Sequence, residues 1–279
     1  MSIPNGAGPF SLLILIHGSG PNDRDETIGP NKVFRDIAWG LASQGIAVFR
    51  YEKRTKYYSE EWNDNWTVKE EVVDDVLNAV LSLRNIKEID KKIFLLGHSL
   101  GGKLIPKIGV LDKGIKGFII FAGAPLPLED KILEQIIYIC SLDGKITKEE
   151  KEEIDKIKEQ VKNVKNTKLS EKMPSSSLPL GISAKYWLDL RKYNIRKDAR
   201  NLYRPVFVLQ GGRDYQVTKK DFYEWKKIFS SLKNVEFKLY PKLNHSFIEG
   251  EGVSSPNEYT MPGNVLKEVI DDMDAWIKK

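Results

Sequence analysis

A serine set among glycines is the feature of this sequence most able to do chemistry. Residues 97–102 read Gly-His-Ser-Leu-Gly-Gly and directly follow the apolar run Ile93–Leu96. Between a strand and a helix, a G-x-S-x-G sequence forms a strained turn that exposes the serine hydroxyl. Side chains at 97 and 101 would clash in that turn, which explains the glycines. The pattern predicts Ser99 as a nucleophile, and an ordinary structural turn is the alternative.

A serine hydroxyl needs a base to become a nucleophile, and the base needs an orienting acid. The chain has three histidines, so the choice of base is short. His98 lies inside the turn and cannot fold back onto its neighbour, and His17 ends the first predicted strand. His245 follows the last predicted strand, at the end of the sheet where Ser99 would lie. We therefore predict His245 as the base, with an ordinary loop histidine as the alternative.

The acid is predicted from its place after a strand. Asp214 comes just after the predicted strand that precedes the His245 strand, whereas Asp189, Asp198 and Asp221 fall within or beside helical patterns. The order serine, aspartate, histidine along the chain is that of the α/β-hydrolase triad. Asp214 alone could be a turn residue, but its joint placement with the other two favours a catalytic role.

The negative charge that develops on an attacked carbonyl oxygen needs backbone donors. The Leu100 N–H, at the start of the helix after Ser99, is one candidate. The other is the Ser19 N–H in the glycine loop 17–21, where the backbone can approach a substrate closely. The alternative for this second segment is an ordinary glycine turn.

Short β-rich runs alternate with helical patterns along most of the chain, which is typical of a parallel sheet covered by helices on both faces. The run at 12–16 is apolar at every position, as expected for a strand buried on both sides. We predict an α/β fold with a mostly parallel sheet of about six strands and a C-terminal helix. The predicted strands lie at 12–16, 46–49, 93–96, 117–121, 205–209 and 235–240.

Residues 126–200 interrupt this alternation with further helical patterns and a Pro/Ser-rich connector. One helix is predicted to start at Thr147, with Glu150 three residues later forming a capping box. Its apolar residues form a narrow stripe on a strongly charged helix, so it must lie on a surface with one side buried. We predict a helical lid at 126–200, inserted into a core formed by 1–125 and 201–279. The stripe comprises Ile154, Ile157, Val161 and Val164.

Composition excludes several classes of protein. In 279 residues, 41% are hydrophobic and 10% aromatic, which is enough for a sizeable core and argues against a disordered chain. The net charge of +5 is spread over both signs, so no nucleic-acid partner is expected. The longest apolar run is too short to span a membrane, and no export leader is recognised. A single cysteine, Cys140, allows no internal disulfide and favours the cytoplasm.

Several motifs together resemble those of α/β-hydrolases. Within that superfamily the chain is similar to bacterial carboxylesterases related to dienelactone hydrolases and to prolyl-oligopeptidase-type folds. In particular it resembles a thermophile-type esterase group that carries HGSGPNDRDE after the first core strand. The motifs are HGSGPNDRDE at 17–26, FRYEKR at 49–54, GHSLGG at 97–102, GGRDYQV at 211–217 and NHSF at 244–247.

The resemblance implies hydrolysis of short acyl esters through an acyl-enzyme, with no cofactor. No metal is expected either, because no histidine or carboxylate spacing typical of a metal site accompanies His17 and His98. It implies Ser99 as nucleophile, His245 as base and Asp214 as its orienter, with Ser19 and Leu100 as oxyanion donors. Two alternatives stay open. The same triad could serve an acyltransferase, thioesterase or peptidase, and the chain could be a non-catalytic binding protein of the same fold.

The chain departs from the family pattern at its beginning. Such proteins usually have an antiparallel strand pair, and often a further domain, before the strand that ends in His-Gly, whereas about ten residues precede it here. This predicts a catalytic fragment or a lost strand pair. The strand at 46–49 would then be an exposed edge, and an unpaired edge invites a second chain. We therefore expect a homodimer through this edge unless another element covers it.

Other features favour structural roles. The basic residues Arg50, Lys53 and Arg54 are predicted to lie in a solvated loop rather than to form an anion site. Trp62 could line the acyl or alcohol pocket, but packing is its favoured role. The Asp143 loop resembles half of a calcium-binding loop but lacks acidic residues in its first half, so calcium is not expected.

Overall fold

The computed structural model describes residues 1–279. Its main sheet has six strands, all parallel, in the order β4-β1-β5-β6-β7-β8, which confirms the predicted sheet. A separate two-stranded antiparallel hairpin is formed by β2 and β3. The strands are β1 Phe10–Ile16, β2 Thr27–Ile28, β3 Asn31–Lys32, β4 Ala47–Phe49, β5 Ile89–His98, β6 Gly117–Phe121, β7 Val206–Gly211 and β8 Val235–Tyr240.

Ten α-helices and a few single turns connect these strands. A π-helical turn, Lys69–Val73, runs directly into α3. None of the helices combines the length and the apolar composition that crossing a bilayer requires. The helices are α1 Val33–Ser43, α2 Arg54–Tyr57, α3 Asp74–Leu83, α4 Leu100–Leu111, α5 Leu128–Cys140, α6 Lys148–Lys165, α7 Ala184–Lys192, α8 Ile195–Arg200, α9 Lys219–Ile228 and α10 Lys267–Ile277.

The core lies on both faces of the sheet. Successive side chains of a strand point to opposite faces, and the residues of β1 from Leu12 to Ile16 are fully buried. Leu12, Ile14 and Ile16 join a cluster that includes residues of α3, α4 and α9. Leu13 and Leu15 join a second cluster with residues of α1 and α10. The continuous apolar run of β1 is therefore explained by helices on both sides.

The edge of the sheet at β4 is covered, contrary to the expectation of a free edge. Ser2 pairs with Val48 as an antiparallel bridge, through N–H···O bonds of 2.8 and 2.9 Å. Because β4 is only three residues long and its other side faces β1, this bridge satisfies the outward backbone groups of its middle residue. The argument for a homodimer through this edge is therefore wrong.

Between β6 and β7 the chain forms α5 to α8. The predicted capping box at the start of α6 is confirmed. The Thr147 side chain accepts the backbone N–H of Glu150, and the Glu150 side chain accepts the backbone N–H of Thr147. The charged helix α6 buries its apolar stripe against neighbouring residues, including the fully buried Trp187 of α7. This stretch, which we call the inserted segment (126–200), thus has a small apolar core of its own.

Candidate active site

The turn at Ser99 has the strained geometry that its sequence predicts. Ser99 connects β5 to α4 with a φ of 52° and a ψ of −113°, in the left-handed half of backbone space that side chains rarely adopt. A Cβ on Gly97 would lie 2.3 Å from the Gly101 carbonyl oxygen, and one on Gly101 would lie 2.5 Å from the Ile16 carbonyl oxygen. The glycines therefore permit the close approach that lifts Ser99 above the sheet.

Asp214 and His245 meet at the ends of β7 and β8. The Nδ1–H of His245 donates to Asp214 Oδ2 over 2.7 Å, and both residues are about 95% buried or more. A proton held at Nδ1 leaves the lone pair of Nε2 free to accept another proton. The histidine is thus fixed in the tautomer that a general base requires.

Asp214 is held by a second set of donors. Its Oδ1 accepts the backbone N–H groups of Gln216 and Val217 at 2.8 and 2.9 Å. Its Oδ2 accepts Gln210 Nε2 at 3.1 Å in addition to the imidazole. All of these partners donate, so together they fix the orientation of the carboxylate. Sequence reasoning missed Gln210, because a glutamine at the end of a strand carries no signal of this contact.

Ser99 and His245 line the same cavity, which has a volume of about 670 Å³. The structure has no hydrogen bond between the Ser99 hydroxyl and His245, so of the predicted triad only Asp214 and His245 are hydrogen-bonded to each other. Catalytic contacts of this kind are often long in unliganded enzymes and tighten when substrate binds. Asp189, Asp198 and Asp221 make no contact with His245.

The two predicted oxyanion donors border the same cavity. Ser19 and Leu100 both line it, and neither backbone N–H donates a hydrogen bond among the loops and turns. Leu100 is the first residue of α4, where helix N–H groups have no intrahelical acceptor. Both donors are therefore free to bind an oxygen beside Ser99.

The cavity walls are mainly apolar where the inserted segment covers them. An apolar wall with a few fixed polar groups is typical of sites for small organic ligands. Trp62 also lines the cavity and is 38% exposed, so the structure favours the pocket role for this residue over packing. The apolar residues contributed by the inserted segment are Leu126, Leu128, Ile132, Leu180, Ile182 and Tyr186.

A second buried histidine, His98, contacts the backbone of His245. His98 Nδ1 lies 2.8 Å from Glu26 Oε2, and its Nε2 lies 3.1 Å from the His245 carbonyl oxygen. Both neighbours are acceptors, so His98 satisfies them only as an imidazolium with a proton on each nitrogen. The other Glu26 oxygen accepts the Gly18 N–H at 2.7 Å. Glu26 and His98 thereby tie the His245 loop to the glycine loop.

The contact between Glu26 and His98 shifts their two pKa values in opposite directions. Burial opposes charging of both groups, but the carboxylate of Glu26 raises the pKa of His98 above its ordinary 6.5. In the same way, despite burial, the imidazolium lowers the pKa of Glu26 below 4.5. The His98 contribution to stability is full below pH 6.5 and is lost as pH rises through the raised value. The Glu26 contribution is full above pH 4.5 and is lost as pH falls through the lowered value.

We therefore expect Glu26→Gln to lower the free energy of unfolding most between pH 4.5 and 6.5, where both contributions are full. The expected loss there is about 1–3 kcal/mol, the scale of a hydrogen bond to a charged group. Urea unfolding over a pH series measures it. Glu52→Gln, which removes an exposed ion pair with Arg24, is the control and should change little. A Glu26→Gln loss that is the same at every pH would contradict the charged pair.

His17 is not suited to act as a base. Its Nε2 donates to the Asp23 carbonyl oxygen at 3.0 Å, and its Nδ1 is buried without a partner. Burial lowers the pKa of His17 to about 4, so the ring stays neutral. No three histidine, cysteine, aspartate or glutamate side chains cluster as a metal site would require.

Comparison with known proteins places this geometry in a family. The family model described as serine aminopeptidase, S33, an α/β-hydrolase family, matches residues 26–251. Esterase EstD of Thermotoga maritima is 42% identical over 280 residues, covering all of this chain and 65% of EstD. The chain thus spans just under two thirds of the length of that curated relative.

Solved structures show the same fold at low sequence identity. Est1E from Butyrivibrio proteoclasticus superposes with a TM-score of 0.62 at 15% identity, covering 100% of this chain and 93% of Est1E. An esterase of Pyrococcus furiosus gives 0.59 at 16% identity, covering 97% of this chain and 82% of its own. With the parallel sheet, the strained serine turn and the family match in agreement, the chain belongs to the serine aminopeptidase S33 family of α/β-hydrolases.

Proposed function

We propose that this protein is a serine carboxylesterase that hydrolyses short acyl esters without a cofactor. Ser99 is the nucleophile, His245 the base and Asp214 its orienter. The N–H groups of Ser19 and Leu100 form the oxyanion hole. The observation that carries the proposal is that a strained serine and an aspartate-bound histidine face one largely apolar cavity.

The reaction follows from these positions. Nε2 of His245 takes the proton of the Ser99 hydroxyl as Oγ attacks the ester carbonyl carbon. The carbonyl oxygen becomes an oxyanion and accepts the two backbone N–H groups. His245 then returns the proton to the departing alkoxide as the C–O bond breaks, which leaves an acyl-enzyme on Ser99. A water molecule, activated by the same imidazole, attacks the acyl group and releases the acid.

The charges in the cavity favour an ester over a peptide with a free amino terminus. A substrate ammonium group needs an available carboxylate, and the cavity has two, Glu26 and Glu71. Glu26 is already bound to His98, and Glu71 to Lys53 and Tyr186. Because both are buried and paired, neither is available, although the family model is described by an aminopeptidase name. The esterase name of the 42% identical relative supports the same choice.

We further propose that the inserted segment, residues 126–200, is a lid on a core made of 1–125 and 201–279. Its residues Leu128, Ile132, Leu180 and Ile182 border the cavity that holds Ser99. In this position the segment would contact the acyl or alcohol part of an ester and select its length. The predicted cytoplasmic location stays a prediction.

Ile132→Ala should shift the substrate preference toward longer acyl chains, because it removes bulk from the cavity wall. We expect the ratio of kcat/KM for an octanoate ester over a butyrate ester to rise about 10-fold, since one methylene is worth at least that much in a fitted pocket. Ile136→Ala, on the same helix but outside the cavity lining, is the matched control. An unchanged ratio in Ile132→Ala would show that the lid does not select acyl-chain length.

A substrate panel tests the proposed function. Wild-type protein should hydrolyse p-nitrophenyl butyrate at a higher kcat/KM than a leucine p-nitroanilide or butyryl-CoA. Faster cleavage of the anilide would indicate an aminopeptidase, and faster cleavage of the CoA ester a thioesterase. A product that carries the acyl group on an added alcohol would indicate an acyltransferase. Binding of an ester without any turnover would leave only the binding-protein alternative.

A further inference from the structure

A buried ion pair beside the cavity takes no part in the mechanism above. Lys53 and Glu71 are 1% and 5% exposed, and their charged groups are in direct contact. Lys53 was predicted to lie in a solvated basic loop, and that prediction is wrong. Burying two charges costs several kcal/mol per ion unless further hydrogen bonds satisfy them. The contacts around this pair are therefore informative about its role.

Lys53 uses its remaining protons to hold the glycine loop. Its Nζ donates to the carbonyl oxygens of Gly18 and Gly20 at 2.8 and 2.9 Å, and with Glu71 this accounts for all three ammonium protons. The two carbonyls flank Ser19, whose N–H is a proposed oxyanion donor. The Asn22 amide adds longer contacts, of 3.1–3.4 Å, to the carbonyls of the same three residues. The buried ammonium thus holds the Gly18–Ser19 peptide plane, which carries the Ser19 N–H, and also the Gly20–Pro21 peptide plane that follows.

Glu71 connects this ammonium to the inserted segment. It lies in the π-helical turn Lys69–Val73, and such turns occur frequently at functional sites. One of its oxygens binds Lys53, and the other accepts the hydroxyl of Tyr186, which is 2% exposed and belongs to α7. Tyr186 also lines the cavity. A continuous buried chain of polar contacts therefore runs from the inserted segment to the glycine loop.

We propose that Tyr186, Glu71 and Lys53 form a positioning relay that holds the Ser19 N–H at the oxyanion site and makes that position depend on the docked inserted segment. This inference rests on the proposed function, because it assigns the relay to the same oxyanion hole. None of the three residues takes or gives a proton in the reaction. They act through the placement of one backbone donor, and a donor outside about 2.7–3.1 Å of the oxyanion no longer stabilises it.

The relay predicts a loss in kcat rather than in KM, because an oxyanion forms only in the transition state. Tyr186→Phe removes one hydroxyl and keeps the ring, so kcat for p-nitrophenyl butyrate should fall about 3- to 10-fold, the scale of one hydrogen bond. The paired change Lys53→Met with Glu71→Gln removes both buried charges together, which avoids leaving one charge unpaired. Its kcat should fall about 100-fold, approaching the loss of an oxyanion donor.

A double-variant cycle separates the relay from general destabilisation. Added to Lys53→Met/Glu71→Gln, Tyr186→Phe should cause no further loss in kcat, because its path to the glycine loop is already broken. Tyr138→Phe is the matched control, since Tyr138 also joins the inserted segment to a core loop, through Ser254, but does not line the cavity. It should leave kcat unchanged while losing a comparable hydrogen bond.

The rate at which a fluorophosphonate probe labels Ser99 gives a readout that does not depend on the substrate class. We expect the probe to label the wild type. In the relay variants the labelling rate should fall in parallel with kcat. Equal labelling rates in wild type and variants, or multiplicative losses in the cycle, would overturn the relay and leave the esterase proposal intact. A wild type that is not labelled at all would instead overturn the serine mechanism, and the relay with it.

Discussion

Ser99→Ala is expected to lower kcat for p-nitrophenyl butyrate by at least about 10⁴-fold, because the attacking oxygen is lost and only binding and the oxyanion hole remain. The variant keeps the Cβ that the strained turn already accommodates, and the Ser99 hydroxyl makes no hydrogen bond in the structure. The free energy of unfolding should therefore change by less than about 0.5 kcal/mol. Steady-state kinetics and urea unfolding measure the two effects.

Ser246→Ala is the control for that variant. Ser246 is fully buried next to His245, and its hydroxyl has no hydrogen-bond partner. Its removal should leave kcat within about 3-fold of wild type, since a neutral change without a lost partner costs little. Turnover by Ser99→Ala at the wild-type rate would show that another group attacks the ester.

Asp214→Asn is expected to lower kcat by about 10⁴-fold with little change in KM, because it reverses the histidine tautomer. Two backbone N–H groups hold the Oδ1 position, so an asparagine must place its oxygen there and its NH₂ group at the Oδ2 position. That NH₂ faces His245 Nδ1, which must then accept rather than donate. The proton moves to Nε2, and the imidazole can no longer take one from Ser99.

Asp189→Asn is the matched control for the aspartate. Asp189, on α7, forms a partly exposed ion pair with Lys107 of α4 and makes no contact with His245. Its replacement should leave kcat near the wild-type value, because exposed pairs contribute little. A loss in Asp189→Asn as large as that in Asp214→Asn would contradict the assignment of the acid.

The part of the site that could be predicted from sequence is the part encoded locally or by strand order. The turn at Ser99 requires glycine at 97 and 101, and that requirement is visible in six consecutive residues. Asp214 and His245 follow β7 and β8, and the carboxyl ends of parallel strands meet at one edge of a sheet. Topology therefore brings distant residues together without any local signal of contact.

What could not be predicted depends on which buried side chains meet. His98 is seventy-two positions from Glu26, and Lys53 is eighteen from Glu71, so no spacing rule links either pair. A lysine inside a basic run is usually solvated, yet Lys53 is almost fully buried because two loop carbonyls and a carboxylate accept its protons. Pairing of this kind appears only once the chain is folded.

The prediction of a free edge at β4 was wrong for a related reason. The sequence correctly predicts β4, but the side chains of a strand do not identify the segment that pairs with its backbone. Ser2, which carries no strand pattern, supplies both hydrogen bonds at Val48. Short terminal segments can thus cover an edge without being recognisable as strands.

The central claim is that ester hydrolysis passes through an acyl group on Ser99. Acid quenching during turnover of a slowly hydrolysed p-nitrophenyl ester, followed by proteolysis and mass spectrometry, tests it directly. We predict one adduct with the mass of the acyl group, on the peptide that contains Ser99, and its loss in Ser99→Ala. Continued turnover with no adduct, or with the acyl group on another residue, would contradict the account.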